Sequence, residues 1–511
     1  MRKITTTLLL LFAILMACSK NEVREVEDYK EDILARVGDR TISVTEFKTR
    51  AEFTIRPAIY KDKNITLNNL ISEKLLAMEA GPESEVLQNP NFKARIKGLI
   101  EQKMRERLYY QEGLQKATID TNELKTRFRL SQREYDLSFF SIRKDEIGQE
   151  LKTRIENAPD SLEAIFEGLN KRGKIGTQSV KWKDPEHDSI HEALFSAPVK
   201  QHSIIGPLQL AEDDWIFMRV DNWRDTPIIG PEQAQMRVAE IKEKVGFIKG
   251  NAIYRNFISQ VMKGKKIDFD RDTFSEVFEL VYAKEQERRK EQEPNVPQDT
   301  TKNEEVPIDD IQEIDKMLNK PFFTIDDEVW TIGDFKALLM SHPLKYRRQP
   351  NSKNDFVDQF RYAIADLIRD HYLNKEAYKR GLDKHPLVQR TKEMWTDAYN
   401  AIYQRDKIMA KSPKGGDNFY ERNKIKSTYW DTYIDSLHNT YSEKISVDST
   451  KFSKIKLTKI DMFVTQNGVP YPIPVPSFPQ ISVSKDLSYA KNRKEEDVNT
   501  DKPVFENIIK K

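Results

Sequence analysis

Cysteine is nearly absent from this chain: one residue in 511, Cys18. A single thiol cannot close an internal disulfide, and it has no metal-ligand partner at suitable spacing, so a disulfide framework and a thiolate metal site are both excluded. Histidine is scarce too, with seven in all, and no Ser-His-Asp, metal-spaced or phosphate-loop pattern occurs. Net charge is also missing, since 84 basic side chains face 82 acidic ones for a formal +2. Nucleic-acid binding wants a basic face or stripe, and there is none. Lys/Glu mixing at this density describes solvated helix faces. No cofactor is implied.

Long apolar runs are missing as well, except for Leu8 to Met16 behind Arg2 and Lys3. That run is shorter than the roughly 20 residues of a membrane span, and with Ala17 after it the stretch has the grammar of an export signal. Leu15-Met16-Ala17-Cys18 resembles the lipobox of a bacterial lipoprotein, in which the thiol is acylated and the chain is cut just before it. The resemblance implies a signal peptide over 1–17, a lipidated Cys18 and a tether over 18–32. With Ser19 where an aspartate would mean inner-membrane retention in many Gram-negative bacteria, the lipoprotein resemblance implies the outer membrane, and the expected place is its periplasmic side. An ordinary secretory signal with a chance cysteine, and an unrelated buried thiol, stay open.

What the chain does contain is an internal repeat. Val37-Gly38-Asp39-Arg40-Thr41-Ile42-Ser43-Val44-Thr45-Glu46-Phe47-Lys48 recurs as Ile325-Asp326-Asp327-Glu328-Val329-Trp330-Thr331-Ile332-Gly333-Asp334-Phe335-Lys336. Each copy predicts a strand, a tight turn, a second strand and a helix that starts near Thr45 or Gly333, with acid in its first turn. Leu70-Ile71, Leu76 and Glu79-Ala80 match Leu367-Ile368, Leu373 and Glu376-Ala377. Asn89-Pro90 and His385-Pro386 each open a long helix; Phe92, Ile96, Leu99, Ile100, Met104 and Leu108 give the first of these an apolar face. A closing block, Lys266-Ile267-Asp268-Phe269 against Lys444-Ile445-Ser446-Val447, comes roughly a hundred residues late in the first copy. Something is inserted there.

The insert, about Glu134 to Asp225, alternates as strands at Tyr135–Ile142 and Trp215–Val220, with a helix expected from about Glu146 to Leu169. It predicts a small α+β domain. Lys284 to Asp310 is charged and proline-containing, the composition of a disordered linker. The tail after Met462 carries Pro470, Pro472, Pro474, Pro476 and Pro479 and is expected to be extended or disordered.

These blocks resemble the SurA-type and PrsA-type periplasmic foldases, in which a helical chaperone domain is interrupted by a parvulin-type peptidyl-prolyl isomerase domain. Val37 to Phe47 resembles the opening of the chaperone domain and Asn69 to Ala80 its following helix. Gly173-Lys174-Ile175-Gly176, Ile190-His191-Glu192-Ala193-Leu194-Phe195 and Ile205-Gly206-Pro207-Leu208 resemble three parvulin segments. The fold implied is α+β and predominantly helical. Module one covers 33–130 with 226–283, a parvulin-like domain 131–225, a linker 284–312, module two 313–456 and a tail 457–511.

Rotating an X–Pro bond faces a barrier near 20 kcal/mol, and parvulins resemble one another in two inward-facing histidines, one in the first strand and one in the last. Here Leu137 or Ser138 and Ile216 stand at those places. His187 and His202 fall in expected loops, and His191 reads as a surface residue. An apolar proline groove of Trp182, Ile190, Phe195 and Ile216 is expected, and the same residues read equally well as the core of a small domain. The resemblance implies a lipid-anchored envelope chaperone that holds unfolded or extended envelope proteins, its isomerase activity weak or lost. An active prolyl isomerase, and a structural subunit of an envelope secretion or assembly complex, stay open as alternatives.

Overall fold

The computed structural model describes residues 32–142, 161–168, 174–211, 214–291, 308, 311–458, 471 and 474–493. Cys18, the first part of the helix expected in the insert and most of the expected linker lie outside the described residues. The chain is α+β and mostly helical. In the first copy, β1 (Ile33–Val37) and β2 (Arg40–Ser43) are followed by α1 (Val44–Glu52), α2 (Lys63–Ala80) and α3 (Pro90–Glu112). The insert holds α4 (Thr121–Leu130), β3 (Arg133–Ile142), α5 (Leu162–Gly168), β4 (Gly176–Lys181), α6 (Asp188–Phe195), β5 (Ile204–Ala211) and β6 (Asp214–Asp225). Next come α7 (Pro231–Val261), β7 (Asp268–Phe269) and α8 (Arg271–Glu291). The second copy has β8 (Pro321–Ile325), β9 (Glu328–Thr331), α9 (Ile332–Leu339), α10 (Lys353–Lys379), α11 (Pro386–Met409) and α12 (Phe419–Thr440). It ends with β10 (Ile445–Asp448), α13 (Ser449–Lys454) and β11 (Lys491–Arg493).

Two units emerge: Met1–Leu108 with Val261–Lys511, and Tyr109–Gln260. The first contains both hairpins. Tight turns need backbone at positive φ, and they obtain it differently: Gly38 at +62° in one hairpin, Asp326 at +52° and Asp327 at +62° in the other.

Beside the hairpin within each copy, the closing strands pair across the two copies. β10 of the second copy pairs antiparallel with β1 of the first, Ala35 opposite Val447 and Val37 opposite Ile445. Reciprocally, β7 of the first copy pairs with β8 of the second, Phe269 opposite Phe323. The helices cross over as well. α11 lies on α2, where Lys74 Nζ reaches Asp397 Oδ2 at 3.0 Å, and α3 lies on α10, where Arg105 donates to Asn374 Oδ1 at 2.7 Å. Gly98 lets α3 come close to the turn after α9, since a Cβ there would stand 1.9 Å from the Ser341 carbonyl.

Among the described residues, the two largest apolar cores of this unit are each built from both copies. One joins Leu34, Val37, Phe47, Leu70 and Leu75 to Ile434, Leu437, Ile445 and Val447; the other joins Phe274, Phe278 and Val281 to Phe322, Phe335, Phe360 and Ile364. Each such side chain contributes about 1.5–3 kcal/mol on burial. The expected modules 33–130 with 226–283 and 313–456 therefore exchange their closing halves. The blocks that carry the two closing strands, 266–269 and 444–447, match in sequence pattern, so the pattern itself does not assign either to one hairpin.

Two further expectations are corrected. The helix caps are Ser43, which accepts from the Glu46 N–H, and Thr331, which forms a capping box with Asp334; both lie two residues before Thr45 and Gly333, because each strand runs straight into its helix. Residues 284–291 are helical rather than linker, held by the fully buried Glu285, whose carboxylate accepts from Arg288 and Arg289 at 2.9–3.0 Å. The described part of the tail, 474–493, is extended as expected but docked, with Phe478, Ile481 and Ala490 buried and β11 added parallel to β10.

Candidate functional site

The insert's sheet has the order β4-β3-β6-β5 with every pair antiparallel. Leu137 lies opposite Val220 and Ser141 opposite Ile216. Alternation turns Tyr135 and Leu137 to one face, where α6 covers them, and the core there includes Ile190, Leu194, Ile216 and Met218. Trp182, Ile190, Phe195 and Ile216 are brought together, at 6%, 6%, 0% and 7% exposure. They share one packed cluster. Trp182 meets Phe195 edge-on with centroids 5.3 Å apart, and Tyr135 packs on Phe195 at 5.4 Å.

His191 belongs to this cluster rather than to the surface. It is 1% exposed and 4.3 Å from the Trp182 ring centroid. Burial pushes it down to about 4, so near neutrality it is an uncharged imidazole. His187 caps α6, its Nδ1 accepting from the Ser189 N–H at 3.2 Å. On the neighbouring α4, Arg127 makes a bidentate bond to Glu192 at 2.8 and 2.9 Å and fastens α4 to α6. At the parvulin histidine place in the first strand Leu137 is core and the Ser138 hydroxyl donates to Asp221, and at the place in the last strand Ile216 is core. Among the described residues, no cluster of His, Cys, Asp and Glu could hold a metal ion, and no helix is long and apolar enough to cross a membrane.

A second arrangement, in the other unit, escaped the sequence reading. Asn68 and Asn69 interrupt the apolar run of α2 and are both fully buried. Asn69 Oδ1 accepts the N–H groups of Ile481 at 2.7 Å and Ser482 at 3.0 Å, while its Nδ2 donates to the Ser482 carbonyl at 2.7 Å. Asn68 Nδ2 donates to the Ser484 carbonyl at 3.0 Å. Trp430 Nε1 donates to the Ile481 carbonyl at 2.9 Å, Arg50 Nη2 to that of Ser477 at 3.1 Å and Trp395 Nε1 to that of Pro474 at 3.3 Å. Phe478 packs on Tyr60 at 5.6 Å. A helical surface thus holds an extended backbone by side-chain hydrogen bonds. The signal available in sequence was the Asn-Asn pair, because a buried amide must find partners.

Beneath this surface lies a buried charge network. Arg50 grips Glu73 at 2.7 and 2.8 Å, Lys74 bridges Glu46 at 2.8 Å and Asp397 at 3.0 Å, and Arg40 reaches Asp397 at 2.8 Å. Three cations face three anions. Burial alone would lower the Lys74 ammonium, but Glu46, Asp397 and Glu73 outweigh it and hold the group well above its ordinary value. The network locks α1, α2 and α11 and fixes the guanidinium that reaches Ser477. Between residues 475–481 and the helices a cleft of about 670 Å³ remains, lined by Leu76, Trp395, Ala398 and Ile402 among others.

No family model matches the sequence, and no curated protein matches it. A solved structure with some likeness is the crystal structure of PrsA from Bacillus subtilis, at 14% identity over 47% of this chain and 96% of that chain, with a TM-score of 0.14. A likeness of that size carries no argument about function.

Proposed function

We propose that the chain is a lipid-anchored chaperone of the bacterial cell envelope, related in plan to the SurA and PrsA foldases, that holds extended segments of unfolded envelope proteins without chemistry. The observation that carries this reading is the hold on residues 474–484, in which helix side chains bond an extended backbone. Recognition through the backbone is tolerant of sequence, as a chaperone requires. Such a holdase acts by mass action on unfolded chains and needs neither ATP nor cofactor. Isomerase activity is weak or lost in this reading, because no histidine stands at either parvulin position and the expected groove residues pack as core.

Suppression of aggregation tests the proposal. A stoichiometric amount of the protein should reduce light scattering from a diluted, chemically unfolded enzyme, while isomerisation of a proline tetrapeptide stays at background. No suppression at several-fold excess overturns the chaperone reading. Isomerisation well above background that disappears in Phe195→Ala or Trp182→Ala would instead favour the enzyme. For the anchor, Cys18→Ala should leave the precursor uncut and mislocalised, and recovery of the unaltered protein in a salt-washed soluble fraction counts against lipidation.

A further inference from the structure

We infer that the surface made by α1, α2, α11 and α12 is a binding site for proline-containing extended peptides, and that residues 474–484 of the chain are its resident occupant. This rests on the chaperone reading and narrows it to one site and one ligand class. The hydrogen-bonding groups of the site identify that class. Arg50, Asn68, Asn69, Trp395 and Trp430 all donate to backbone carbonyls of the segment, whereas among the described residues outside the segment only Asn69 Oδ1 accepts backbone N–H groups of residues 474–484. The edge of a β-sheet offers donors and acceptors in equal number. A surface rich in donors and poor in acceptors suits a backbone whose N–H groups are partly missing, and proline removes that group while keeping the carbonyl. An extended polyproline-type chain also has no internal hydrogen bonds, so its carbonyls are free to accept. The resident segment, Pro474-Val475-Pro476-Ser477-Phe478-Pro479, has this composition.

Two observations argue that the site is more than packing for one tail. The cleft of about 670 Å³ beside Val475 and Phe478 is space the resident leaves unfilled, so a ligand with larger apolar side chains would bury more surface than the resident does. The second copy of the repeat lacks the device: where α2 carries Asn68-Asn69, α10 carries Ala365-Asp366, and Asp366 is taken by Arg347 and Arg369. The fold does not require the asparagine pair.

The test uses the full chain. Ser482→Pro removes an N–H that Asn69 accepts and should loosen the resident segment. A fluorescein-labelled synthetic peptide of residues 474–490 should then bind, by anisotropy, about tenfold tighter than to the unaltered chain, because competition from the resident is relieved. Asn69→Ala in that background should abolish the gain, and a peptide with its three prolines changed to alanine should bind more weakly. In the unaltered chain, excess unlabelled peptide should accelerate hydrogen exchange at the Ile481 and Ser482 amides, a measurement that does not depend on the variant folding. Equal peptide affinity in the folded Ser482→Pro and unaltered chains, or exchange indifferent to the peptide, overturns the site. Aggregation suppression separates the two ideas: suppression without peptide exchange sinks this site alone, and exchange without suppression sinks the chaperone reading alone.

Discussion

Asn69 holds Ser482 from both sides, accepting its N–H at 3.0 Å and donating to its carbonyl at 2.7 Å. One fully buried amide thereby fixes the register of a segment more than four hundred residues away in sequence.

Replacing Asn69 with alanine should cost about 2–4 kcal/mol. The bonds themselves contribute about 1 kcal/mol each, and the groups of Ile481 and Ser482 left without partners add a desolvation cost. Urea denaturation reads the change, and a loss under about 1 kcal/mol would mean that the segment is held by its apolar anchors alone.

The buried charge network gives a sharper outcome. Glu73→Ala strands the Arg50 guanidinium, which is fully buried, and should destabilise by about 3–5 kcal/mol. The double change Arg50→Met with Glu73→Leu removes both charges and should be much milder. Equal losses in the single and double variants would show that the charge pairing is not what matters.

Cap positions can be checked at low cost. Thr331→Ala removes half of the capping box and should cost about 1 kcal/mol, whereas Thr45→Ala, one residue inside α1, should stay within about 0.5 kcal/mol. A reversed order would return the helix starts to the positions first read from sequence.

Acid should weaken the protein through its buried histidines. His191 and His438, 1% and 6% exposed, are each lowered to about 4 by burial. Because the folded value lies below the unfolded value near 6.5, the unfolded state takes up the proton first. Their contribution is fully present above about pH 6.5 and is lost as the pH falls toward 4, on the order of 3 kcal/mol per histidine at the lower limit. His191→Phe should flatten part of the slope in urea midpoints between pH 7 and 4.5, and an unchanged slope would remove His191 from the account.

Exchange of the closing halves predicts how the chain behaves when cut. A protease site placed between Pro297 and Gln298 should yield two fragments that co-elute in native buffer and separate only in denaturant, since each fragment supplies part of both cores. Fragments that separate without denaturant would mean that the copies are completed within themselves.

Much of the fold was legible in the sequence, and the limits have physical causes. The hairpins at Gly38 and Asp326-Asp327, the helices opened by Pro90 and Pro386, and the sheet of the insert follow from turn chemistry and alternation. The exchange was not legible, because strands 268–269 and 445–448 carry the same pattern and nothing local tells either which hairpin to join. Lys284 to Asp310 reads as linker from its charge, its prolines and its few apolar residues, yet over 284–291 Glu285 satisfies two arginines on its own helix. The asparagine pair was overlooked for the opposite reason: it lay inside an apolar helix, and its partners were in a tail whose composition announced extension but not docking. Trp182, Ile190, Phe195 and Ile216 share one apolar cluster, and the packing of Tyr135 and His191 among them could be known only from coordinates.

The pairing of Ala35 with Val447 also governs timing. The first hairpin to leave the ribosome finds its third strand only when nearly the whole polypeptide has been made, so the earliest apolar segments must wait in an open chain.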